Sequence, residues 1–65
     1  MIQLSSIQHL SKPDQKSFLQ DRIATYQTQI TALQAKVNGG NKEAAGALND
    51  AVIEMAAHQY LLKQV

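Results

Sequence analysis

The chain predicts an all-α fold, an antiparallel helical hairpin with a short N-terminal arm, and three observations carry that expectation. Two stretches place apolar residues alternately four and three apart, helix-start and helix-stop residues bracket both, and only Asn38-Gly39-Gly40-Asn41 separates them. Apolar residues at this spacing line one side of a helix. A connection of a few residues turns the second helix back along the first.

The arm, residues 1–11, holds Ile2, Leu4, Ile7 and Leu10 with Ser5, Ser6, Gln8 and His9 between them. Spacing of three from Leu4 to Leu10 fits one or two helical turns, whereas Ile2-Gln3-Leu4 alternates like a short strand. A turn of helix folded back over the bundle end is the preferred expectation. An arm exchanged between protomers would use the same residues.

The hairpin occupies residues 12–65, with helices over about 12–37 and 42–64. Ser11 is placed to cap the first helix, Pro13 suits a first turn where its missing N–H costs nothing, and Asp14 completes an S-x-x-D start. Leu19, Ile23, Tyr26, Ile30, Leu33 and Val37 follow as a heptad seam, β-branched residues alternating with Leu or Tyr. Twenty-six residues would span roughly 39 Å. Gly39 or Gly40 can take the left-handed conformation that closes a helix, and Asn41 is a good cap for the next. The second helix carries its own seam, Ala44, Leu48, Ala51, Met55, His58, Leu62 and Val65, which Val52 widens. Asp14 and Glu43 lie in first turns and Lys36 and Lys63 in last turns, each matched to the helix dipole.

A second stripe, Gly46, Ile53, Ala56, Ala57 and Tyr60, lies well away from that seam, so the second helix is apolar on two sides. One hairpin partner cannot cover both. The outward positions of the first helix are also uncharged between Arg22 and Lys36, with Thr25, Gln27, Thr28, Gln29, Thr31 and Gln34 where ion pairs would be usual. Both features point to a homo-oligomer, most simply a dimer forming a four-helix bundle, with Ile53, Ala57 and Tyr60 as the partner-binding residues.

Size argues the same way. A chain of 65 residues and 7.1 kDa buries only about 60% of the surface it exposes when unfolded. It has no cysteine, and its two histidines, His9 and His58, lie too far apart for a local metal motif. Association is the remaining way to enlarge the core. The composition, 45% hydrophobic and 17% charged with a net charge of +1, is neither that of a disordered acidic tail nor that of a basic arm. There is no basic and apolar leader at the N-terminus and no stretch of 18 apolar residues, so a cytoplasmic location without membrane insertion is expected.

No nucleophile, base and orienting group converge at helical spacing, so no catalytic residue, metal ligand or cofactor is assigned and the protein is expected not to be an enzyme. Asp50 and Glu54 share a face, with His58 a further turn on; the expected reading is a solvated acidic edge beside a seam histidine with one nitrogen hydrogen-bonded. Arg22, Tyr26, Lys36 and His58 form a possible ligand set: a guanidinium for a phosphate, a ring for a base, and two further donors. In that respect the plan resembles compact phage proteins that sequester cyclic nucleotides at subunit interfaces, which implies a small-nucleotide sponge as one alternative. In length and hairpin plan it resembles the plasmid-encoded repressor-of-primer proteins, which implies an RNA-binding helical dimer as another. No site residue carries over from that likeness, and the six dispersed basic residues make nucleic acid the weaker partner. The leading expectation is a non-enzymatic interaction protein, acting by self-association and protein contact as small phage or plasmid regulators and inhibitors do.

Overall fold

A computed structural model describes residues 2–65. Its elements are a 3₁₀ turn at Leu4–Ser6, helix α1 at Lys12–Asn38 and helix α2 at Glu43–Gln64. The two helices pack against each other as an antiparallel hairpin, giving a rod of 43 × 16 × 16 Å. Among the described residues no helix is long and apolar enough to cross a membrane.

Local chemistry accounts for each boundary. The Asp14 amide donates to the Ser11 hydroxyl at 3.3 Å, and Pro13 occupies the first turn of α1. At the far end Gly40 adopts φ +97°, the conformation that a Cβ disfavours. Its amide donates to the Val37 carbonyl and that of Asn41 to the Lys36 carbonyl, both at 3.0 Å, the paired closure of a Schellman turn. The side-chain oxygen of Asn41 then accepts from the Glu43 and Ala44 amides at 3.1 and 3.3 Å. One residue thus seals the end of α1 with its backbone and opens α2 with its side chain.

The seams meet as their spacing predicts. All six seam positions of α1, the six of α2 and Val65 just beyond it are buried or half-buried, with Leu19, Ala44, Ala51 and His58 fully so. Val52, expected to widen the α2 stripe, is instead 43% exposed. Its place beside the seam falls on the side that the arm does not cover.

The arm lies over the open end of the hairpin, opposite the Gly40 turn. Ile7 is buried with Leu19 and Leu61 in the hydrophobic centre, and Ile2, Leu4, Leu10, Leu62 and Val65 pack around them. The amide of Gln15, a buried side chain in the second turn of α1, donates to the Leu10 carbonyl at 3.0 Å. That bond fastens the end of the arm to the helix it precedes.

Candidate functional site

Two regions gather the residues singled out from the sequence. The first is the outward face of α2. Ile53 and Tyr60, one heptad apart and opposite the seam, are 44% and 64% exposed. Gly46 and Ala56 between and before them are exposed and Ala57 is half-buried. Small residues beside large ones leave holes next to knobs, the relief that lets another helix approach closely.

The uncharged face of α1 is less polar than its composition suggests. Thr25, Thr28 and Thr31 donate their hydroxyls to the carbonyls of Asp21, Ala24 and Gln27, one turn back, at 3.1, 3.3 and 3.0 Å. A hydroxyl turned onto its own helix has its hydrogen-bonding need largely met there.

The second region lies where α1, α2 and the arm meet. Arg22 donates to the Tyr26 hydroxyl at 3.1 Å, and its guanidinium sits 5.6 Å from the Tyr26 ring centre and 5.9 Å from that of Phe18. Two aromatic side chains on its own helix thus hold an exposed cation in one place. Across the seam the Tyr26 and His58 rings lie 5.1 Å apart at 57°. The His58 Nδ1 is 2.6 Å from the Glu54 carbonyl. A carbonyl only accepts, so Nδ1 carries the proton in this contact. The His58 Nε2 is buried without a hydrogen-bond partner.

Of the possible ligand set, then, Arg22, Tyr26 and His58 come together and Lys36 does not. Lys36 lies 14 residues beyond Arg22, on the order of 20 Å along α1, in the turn next to Gly39. The expected acidic edge divides as well. Asp50 is exposed, but Glu54 is half-buried and reaches the junction with the arm. There it lines a cleft of about 560 Å³ together with Arg22, Phe18 and residues of the arm. Among the described residues no three His, Cys, Asp or Glu side chains gather as a metal site would require.

Gln15, Phe18 and Leu61 are parts of this architecture that helical spacing did not single out. Gln15 precedes Leu19 by one turn and so shares its side of α1, a signal masked by its polarity. Phe18 and Leu61 stand on the flank of the seam, beside residues of the arm. No family model, curated protein or solved structure matches the chain.

Proposed function

We propose that this is a non-enzymatic interaction protein that works through protein contact, and that its first partner is a second copy of the same hairpin seated on the outward face of α2. The observation that carries the reading is the exposure of Ile53 and Tyr60 on the side of α2 away from its own hairpin partner. Alternation of these large residues with Gly46, Ala56 and Ala57 makes the face complementary to itself, as a two-fold interface requires. The face runs along α2, whose 22 residues extend about 33 Å. The thin core supports it too, since among the described residues Ile7, Leu19 and Leu61 alone form the buried hydrophobic cluster.

An Ile53→Glu/Tyr60→Glu double variant tests this. It is expected to keep its helicity by circular dichroism and to sediment as a 7 kDa chain, while the unmodified protein sediments as two or more chains at micromolar concentration, because association would bury two unpaired charges. Equal masses for the two proteins would overturn the reading.

A further inference from the structure

The cleft between the arm and the hairpin lies apart from the α2 face, for none of Ile53, Ala57 and Tyr60 lines it. At about 560 Å³ it falls within the ~300 to 1,000 Å³ of small-molecule sites. Its floor is apolar. Ile7 belongs to the buried central cluster, Ile2 and Leu10 pack against that cluster, and Phe18 is 37% exposed beside them. Ser6 and His9, both exposed, are the polar residues that the arm adds.

Among the described residues that line the cleft Arg22 is the cation, and the fold has already fixed its position. The guanidinium lies 5.9 Å from the Phe18 ring centre and 5.6 Å from that of Tyr26, and it donates to the Tyr26 hydroxyl at 3.1 Å. A long side chain so held has given up much of its rotamer freedom before a ligand arrives, which lowers the entropic cost of binding. A guanidinium has five N–H donors in a rigid fork, and the bond to Tyr26 uses one of them. The remaining donors match the two oxygens of a carboxylate.

The rest of the lining narrows the ligand further. Glu54 is engaged within the fold, and no contact with the ligand is assigned to it. Its charge repels anions, the more so the more charges they carry, so one guanidinium on the same lining suits a single negative charge rather than a polyphosphate. Because Arg22 already lies over the Phe18 ring, the floor presents chiefly the aliphatic groups of Ile2, Ile7 and Leu10. We propose that the cleft binds an aliphatic monocarboxylate, its carboxylate on the Arg22 guanidinium and its hydrocarbon chain along Ile2, Ile7, Leu10 and Phe18.

Octanoate is the probe, titrated below its micellar range into the full-length protein and followed by calorimetry and by methyl NMR signals. Three further ligands, 1-octanol, octylammonium and acetate, separate head from tail. Octanol and octylammonium are each expected to bind roughly tenfold more weakly than octanoate, the loss of one charge-assisted contact. Acetate should leave the methyl signals unmoved. The shifts caused by octanoate should fall on Ile2, Ile7 and Leu10 and spare Ile53, on the other apolar face. In Arg22→Gln the affinity for octanoate should drop to that for octanol. Absence of binding at octanoate concentrations on the order of 10 mM would overturn the proposal, as would equal affinity of the unmodified protein for octanoate and octanol. Equal shifts at Ile53 would overturn it too, because they mark detergent-like adsorption on any apolar surface. The ligand series needs no variant, so a poorly folded Arg22→Gln leaves the test decisive. The Ile53→Glu/Tyr60→Glu protein should bind octanoate unchanged, which separates this site from self-association.

Discussion

The His58 and Tyr26 rings meet 5.1 Å apart across the helix seam, tilted by 57°, with the outer nitrogen of the imidazole buried and unpaired. The imidazole therefore occupies a position whose packing an apolar residue could supply. A buried polar atom without a partner costs about 1 to 3 kcal/mol.

Replacing His58 by Leu removes that cost and keeps most of the volume. The Glu54 carbonyl loses the 2.6 Å contact from Nδ1 but remains within the helix. His58→Leu should therefore raise stability by about 1 kcal/mol, measured as a higher urea midpoint with an unchanged m-value. A fall in the midpoint would show that Nε2 is paired in solution.

Leu19 and Gln27 lie on one helix and provide a contrast in burial. Leu19 is fully buried against Ile7 and Leu61, whereas Gln27 is exposed. Leu19→Ala should cost about 3 kcal/mol and Gln27→Ala less than about 0.5, read from denaturant midpoints. Similar losses would mean that α1 is rotated about its axis relative to this description.

The glycines separate conformation from space. Gly40, at φ +97°, and Gly46, within α2, both have nothing within 4 Å of an added Cβ. Alanine at position 40 should destabilise by about 1 kcal/mol through backbone strain alone. At position 46 it should stabilise by about 0.5 to 1 kcal/mol, through helix propensity. Thermal unfolding of the two variants gives shifts of opposite sign if both arguments hold.

Gln15→Ala should release the arm without dissolving the hairpin. The bond lost is the 3.0 Å contact to the Leu10 carbonyl, worth about 1 kcal/mol. Hydrogen exchange should accelerate at Ile7 and Leu10, whose amides donate to the carbonyls of Leu4 and Ile7, and stay unchanged through the middle of α1. Uniform acceleration would show that the arm and hairpin open together.

How much of this was legible in the sequence follows from where each side chain finds its neighbours. The seam residues, Ser11, Gly40 and Asn41 act over one or two helical turns or against a helix whose direction the short connection dictates, so spacing and residue type suffice to place them. Leu61 and Phe18 are different. On the helical wheel they stand to one side of the seam, and Leu61 is buried because Ile7 is laid beside it from more than fifty positions away. Periodicity within a helix cannot say which flank a distant arm will cover. Glu54 was misplaced for the same reason: spacing puts it one turn from the exposed Asp50, but the arm and Arg22 turn its surroundings into a cleft.

The position of the arm also gives folding a direction. Contacts near the Gly40 turn join residues close in sequence, so the two helices can zip together there with little loss of chain entropy. The Ile7–Leu19–Leu61 cluster lies at the opposite pole and requires nearly the whole chain to close. The arm is thus the part whose closure costs the most chain entropy. A hairpin without it would leave Leu19 and Leu61 bare, so the arm removes an exposed apolar patch at that pole.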